Sequence, residues 1–134
     1  MNKISPDYIT KLQPNEIFVF GSNLSGRHGK GAAKQAMSWG AKYGQKDGLQ
    51  GKTYGIPTVG VSVYKSLSVE QIRPYVDTFI QFAKDNPNLT FLVTEIGCGL
   101  AGLHPKDIAP LFEQAKDIEN IHLPKRFIRI LYES

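Results

Sequence analysis

Ile17-Phe18-Val19-Phe20-Gly21-Ser22-Asn23-Leu24-Ser25-Gly26-Arg27-His28-Gly29-Lys30-Gly31-Ala32-Ala33 is the stretch from which the rest of the chain is read. Ile17 to Phe20 are consecutive apolar, β-prone residues that stop at Gly21, as expected of a strand buried on both faces. A glycine-punctuated loop follows. Then Ala32, Ala33, Ala36, Met37, Gly40 and Ala41 recur at three- and four-residue spacing, which predicts a helix over 31–43 whose small-residue face lies close to a sheet. A strand, a glycine loop and a helix in this order form the place where open α/β sheets hold their ligands.

The pattern returns later in the chain. Leu89 to Thr94 is a second β-prone run, and it stops at Gly97-Cys98-Gly99-Leu100-Ala101-Gly102. Between the two units, Thr53 to Pro57 reads as a short strand, and Val59 to Tyr64 as a further strand or an extended loop. Ser68 with Gln71 matches a capping box, opening an amphipathic helix that carries Val69, Ile72, Val76, Phe79 and Ala83 and ends near Asn86-Pro87. Pro74 either kinks that helix or marks its start after an initial turn. A helix from Pro105 to Lys116, divided at Pro110, and a last strand from Phe127 to Tyr132 complete the reading. Strands alternating with helices predict one domain over 1–134, a three-layer α/β/α fold with a mostly parallel mixed sheet.

Composition narrows the function classes. The 134 residues are 41% hydrophobic and 21% charged, the make-up of a folded globular domain. Apolar runs fall far short of the roughly 20 residues of a membrane span, so no membrane partner is expected. Met1 to Leu12 lacks the order of a secretory signal, and Cys98 is the lone cysteine, which together predict a cytoplasmic location. A net charge of +4 attracts phosphate without making a nucleic-acid signature. His28, His104 and His122 have no metal-ligand spacing, so neither metal nor cofactor is expected.

The chemistry is concentrated in the two loops. Glycines at 26, 29 and 31 allow left-handed turns and leave no Cβ in a ligand's way, while backbone amides at the start of the helix offer donors to an anion. Arg27, His28 and Lys30 add positive charge there or point to solvent. Asn23, beside a strand end, suits a pair of ribose hydroxyls; the competing role is a turn cap made through its own backbone. Neither loop fits the P-loop or the dinucleotide fingerprint.

The order Gly-Ser-Asn-Leu-Ser-Gly at 21–26, Gly-Lys-Gly-Ala-Ala at 29–33 and Glu-Ile-Gly-Cys-Gly-Leu-Ala-Gly at 95–102 resembles the macrodomain family, over most of the chain from Ile17 onward. The resemblance implies a macrodomain-like fold and a pocket for ADP-ribose or a related phosphorylated nucleotide. Gly21, Ser22, Asn23, Gly26, Arg27, Gly29, Lys30, Gly31 and Ala32 would form one wall, with Asn23 facing the distal ribose and Gly29 to Ala32 lining the diphosphate. Gly97, Cys98, Gly99, Leu100, Ala101 and Gly102 would form the other.

Some members of that family remove ADP-ribose from proteins or cleave its acetyl ester, activating a water beside the ribose with an asparagine and often a nearby acid. Carried onto this chain, Asn23 would position the water and His28 would exchange protons, with Glu95 and His104 next in line. Ala32 and Ala33 stand where such enzymes tend to carry an aspartate. ADP-ribosyl hydrolase and non-hydrolysing reader therefore both stay open, with a nucleotide and an ADP-ribosylated protein as partners. The alternative is a small basic nucleic-acid-associated or assembly protein without enzymatic activity. Against nucleic acid stands the lack of a basic stripe interleaved with aromatics. Cys98, between two glycines where a nucleophile could be exposed but without a partner base nearby in sequence, reads as a small buried side chain, Trp39 and Tyr43 as packing, and Tyr54 and Tyr64 as packing or as stacking candidates for a base.

Overall fold

The structure, a computed structural model, describes residues 4–61, 65–99 and 101–133. Its centre is β2, Glu16–Asn23, which runs through Gly21 instead of stopping there. Ile17 and Val19 enter one hydrophobic cluster and Phe18 and Phe20 the other, because alternate residues of a strand face opposite sides. Parallel neighbours flank it on both sides, β4 (Thr53–Val59) and β5 (Thr90–Val93). The six-stranded sheet has the order β1-β6-β5-β2-β4-β3, all parallel but for β3 against β4. β1 (Ile4–Ser5) and β3 (Gly48–Gln50) are too short to show an alternating pattern and were not foreseen. Pro57 sits in β4 beyond the last residue paired with β3, where its missing N–H interrupts no ladder on that side.

One face of the sheet is covered by α1 (Gly31–Met37), whose Ala33 and Ala36 are buried against Phe18, Phe20 and Leu92. The expected small-residue contact is present, but the helix stops at Met37 instead of Tyr43. Ser38 turns its Oγ to the Gln35 carbonyl at 2.7 Å, and the chain reverses so that the Ala41 N–H donates to the Ala36 carbonyl at 3.1 Å. Trp39 then lies on Phe18, ring centroids 4.9 Å apart.

The other face carries α2 (Val69–Asp85), α3 (Pro105–Ile108), the 3-10 helix Ala109–Asp117 and α4 (Lys125–Glu133). With α1 opposite, the molecule is a three-layer α/β/α fold. The capping box on α2 is complete: the Gln71 N–H donates to Ser68 Oγ at 3.1 Å, and the Ser68 N–H to Gln71 Oε1 at 2.9 Å. Ser68→Ala is expected to cost about 1 kcal/mol, read as a lower urea midpoint at unchanged slope. An unshifted midpoint would contradict it. α2 continues through Pro74, which lies on its exposed side. The expected division of the helix at Pro110 is present one residue earlier, where α3 ends at Ile108 and the 3-10 helix starts at Ala109.

The last strand is a correction. Phe127 to Tyr132 lies in α4, and the strand is β6, Ile121–Pro124. Phe127 and Leu131, four apart, are buried while Arg126 and Arg129 face solvent. A run as short as Phe-Ile-Arg-Ile-Leu fits both periods, and the packing of Phe127 on Phe112 at 5.7 Å decides for the helix. Of the stretch Val59 to Tyr64, Val59 ends β4 and bridges to Ser66, and 62–64 lie outside the described residues.

Candidate functional site

β2 and β5 are adjacent and parallel, so the segments leaving their carboxyl ends start side by side. β2 leads to α1 on one face, and β5 leads to α3 and the 3-10 helix on the other. A pair of neighbouring strands whose onward connections part to opposite faces leaves a crevice between them, the switch point of an open α/β sheet. Both glycine segments leave from this point. A methyl group built at Gly21 would stand 3.2 Å from the Gly97 nitrogen and 3.1 Å from Thr58 Oγ1, so a side chain there would push the two strand ends apart.

The first loop is built around Asn23. Its Oδ1 accepts from Ser25 Oγ at 2.7 Å and from the Arg27 N–H at 2.9 Å, and its Nδ2 donates to the Arg27 carbonyl at 2.7 Å. These bonds are those of the turn-capping role; one N–H of the amide is left over. Ser22 is buried and donates to the Lys46 carbonyl. Gly26 is buried too, with φ +72, and its carbonyl accepts from the Gly44 N–H at 2.8 Å. Gly29, Lys30, Gly31 and Arg27 are exposed, and Ala32 is half-buried. The N–H groups of Gly29 and Lys30 donate to no acceptor among the described residues.

His28 does not stand in the loop's surface. It is 4% exposed, edge-on to Phe20 at 5.3 Å, with Nε2 3.2 Å from Gln50 Oε1. That same oxygen accepts from the Lys42 N–H at 2.7 Å, so it is the carbonyl oxygen of the amide and His28 Nε2 is the donor. The expected proton exchanger is thus a strut beneath the loop, pinning it to β3.

The second loop folds on its own backbone. The Cys98 N–H donates to the Glu95 carbonyl at 3.1 Å, Gly102 to Gly99 at 2.9 Å, and Leu103 back to Gly97 at 2.7 Å. Ser66 Oγ donates to the Ala101 carbonyl, tying in the segment before α2. Gly97 is buried, Gly99 and Gly102 are exposed, Ala101 is half-buried, and Leu100 lies outside the described residues. The N–H groups of Gly97 and Gly99 have no acceptor among the described residues.

The remaining acid–base candidates are engaged. Glu95 is chelated by Arg126, at 2.8 and 2.5 Å, and the hydrogen bonds from that guanidinium hold its carboxyl below the usual range. His104 caps α3, its Nδ1 accepting from the Lys106 N–H at 3.0 Å. Tyr54 is core, packed on Phe79 at 5.1 Å and pushed up to about 12 by burial and by Asp47; Tyr64 lies outside the described residues.

Cys98 is half-buried and its thiol is pushed up to about 11, first by burial and then by Glu95. At neutral pH its alkylation by iodoacetamide is expected to be about a hundredfold slower than that of an ordinary thiol, rising about tenfold per pH unit toward pH 11. Rapid modification at neutrality would contradict this.

Two cavities lie beside the segments that leave these strand ends, and neither is lined by residues of 26–31 or 97–102. One, about 470 Å3, is lined by Leu24, Leu67, Pro74 and Tyr75 with Asp47 and Gln71. The other, about 310 Å3, lies at the carboxyl ends of β1, β5 and β6, lined by Asp7, Tyr8, Thr94 and Glu95 among others. Both escaped the sequence because they assemble around the strand β1 and the loop before β3. Among the described residues no group of three His, Cys, Asp or Glu is placed to hold a metal ion, and no helix is long and apolar enough to cross a membrane.

No family model matches the chain. No curated protein is similar to it in sequence. A solved structure described as a protein of unknown function from Bacteroides thetaiotaomicron is similar in fold, with a TM-score of 0.62 at 14% identity over 85% of this chain and 89% of that one. At that identity the likeness is one of fold.

Proposed function

We propose that the crevice between Gly26 to Gly31 and Gly97 to Gly102 binds a phosphate-bearing nucleotide, ADP-ribose or a close derivative, as a macrodomain does. The observation that carries this reading is the common origin of the two glycine segments at the switch point between β2 and β5. Backbone amides of Gly29, Lys30, Gly97 and Gly99, which have no acceptor among the described residues, supply donors for phosphate oxygens, which accept from amides more strongly than neutral acceptors do. Exposed Arg27 and Lys30 supply the counter-charge.

Binding without hydrolysis is the version best supported. Asn23 is tied into its own turn, His28 is buried beneath the loop, and Glu95 is held by Arg126. None of these stands ready to take a proton from a water, the step that a hydrolase of this kind requires. The partner is then a nucleotide or an ADP-ribosylated protein, and the lone Cys98 fits a reducing compartment such as the cytoplasm. Calorimetric titration with ADP-ribose, AMP and ribose 5-phosphate tests the ligand class. Incubation with a mono-ADP-ribosylated protein tests the chemistry, with no release of ADP-ribose expected; catalytic release would overturn the reader assignment.

A further inference from the structure

Charge is divided unevenly along this chain. Residues 17–61 hold six basic residues and a single acid, Asp47, whereas the rest holds ten basic and eleven acidic. Lys52 is engaged, its Nζ donating to the Gln13 carbonyl at 2.8 Å. The other five, Arg27, Lys30, Lys34, Lys42 and Lys46, are exposed and have no ion-pair partner among the described residues.

The fold gathers them. The first loop, α1 and the turn after it form the layer on one face of the sheet, and that turn closes back on the loop through the Gly44 N–H to Gly26 carbonyl bond and the Ser22 hydroxyl to Lys46 carbonyl bond. Tyr43, 67% exposed, lies in the same turn between Lys42 and Lys46. Spaced cations with an exposed aromatic ring among them suit a sugar-phosphate chain with stackable bases, and two of the five, Arg27 and Lys30, belong to the first glycine segment itself.

We infer that this basic layer is a docking surface for single-stranded nucleic acid, oriented so that a nucleotide at the end of the strand reaches the glycine crevice. The placement of that end rests on the nucleotide reading above; the surface itself does not. An acidic protein segment would satisfy the lysines but leave Tyr43 without a stacking partner, which favours nucleic acid as the occupant.

The test is fluorescence anisotropy with a short labelled oligothymidylate between about 50 and 200 mM salt, where three to five phosphate contacts predict a log–log slope of about −2 to −3.5. In Lys34→Gln/Lys42→Gln/Lys46→Gln protein the slope is expected to lose about 2 units. Tyr43→Ala is expected to weaken binding about fivefold or more without changing the slope. Neither variant touches the glycine loops, so ADP-ribose affinity should stay within about twofold. A salt-independent signal, an unchanged slope in the triple variant, or polyglutamate binding as tightly as the oligonucleotide would overturn the inference. Oligonucleotide binding with this slope but no ADP-ribose binding would support the surface and remove the crevice reading, which keeps the two failures apart.

Discussion

Gly26→Ala is expected to unfold the first loop and lower stability by about 2–4 kcal/mol, with nucleotide binding lost alongside. Two effects add. Gly26 has φ +72, a region in which an L side chain brings its Cβ against its own carbonyl. The new methyl would also stand 2.5 Å from the Gly44 carbonyl carbon and 2.7 Å from its oxygen, which are backbone atoms already held by the Gly44 to Gly26 hydrogen bond. Backbone cannot swing aside as a side chain can, so the loop and the turn after α1 must separate. Differential scanning calorimetry should show a midpoint lower by about 10 °C for a chain of this length. Gly29→Ala is the control: its φ is not left-handed and a Cβ there meets nothing within 4 Å. It should change stability by less than about 0.5 kcal/mol. Equal midpoints for the two variants would contradict the account of Gly26.

Phe79→Ala is expected to cost about 3–5 kcal/mol, a large share of the 5–15 kcal/mol by which a domain of this kind is stable. Phe79 is fully buried where three elements meet. Its ring lies 5.1 Å from Tyr54 on β4, 5.4 Å from Phe91 on β5 and 6.4 Å from Phe112 in the 3-10 helix. Truncation removes one ring from each of these contacts and leaves a cavity that rigid neighbours cannot close. Phe79→Leu, which keeps most of the volume, should lose less. Urea unfolding reads both, and a loss below about 1.5 kcal/mol for the alanine variant would mean that α2 is not anchored there.

These two residues also show what can be read from a chain of this kind. The central strand, the capped helix and the second glycine segment follow from local signals: an unbroken apolar run, a Ser-x-x-Gln box and punctuation by glycine. The layers follow from alternation, since Phe18 and Phe20 had to go one way and Ile17 and Val19 the other. What escaped was set by tertiary contact. α1 ends early because Gly40 must pass close to Gly51, a meeting of residues eleven apart that no local pattern announces. β1 and β3 gain their pairing from β6 and β4 and carry no signal of their own. The segment 125–133 is helical because Phe127 finds Phe112.

In the site, the positions of the glycines were legible and the orientation of the polar side chains was not. The place of Asn23, beside a strand end and a glycine loop, fits a ligand contact and a turn cap alike, and its partners are Ser25 and Arg27 of the same turn. In sequence His28 is a loop residue beside Arg27 and Lys30, open to a ligand, to proton exchange or to solvent; Gln50, twenty-two residues away, draws it inside. The basic layer was invisible for the same reason, since the lysines at 34, 42 and 46 stand apart in sequence and join the first loop only because the turn after α1 closes back on it.

A direct measurement of the whole scheme is an ADP-ribose titration of the native chain beside Gly29→Val/Gly99→Val protein. Neither glycine has a left-handed φ or a neighbour within 4 Å of an added Cβ, so the variant should melt with the native protein. Its two new side chains would occupy the space proposed for the diphosphate. One site with affinity of about micromolar is expected in the native chain, and at least a tenfold loss, about 1.4 kcal/mol or more, in the variant. No heat from the native chain at millimolar ADP-ribose, or equal binding by the variant, would contradict it.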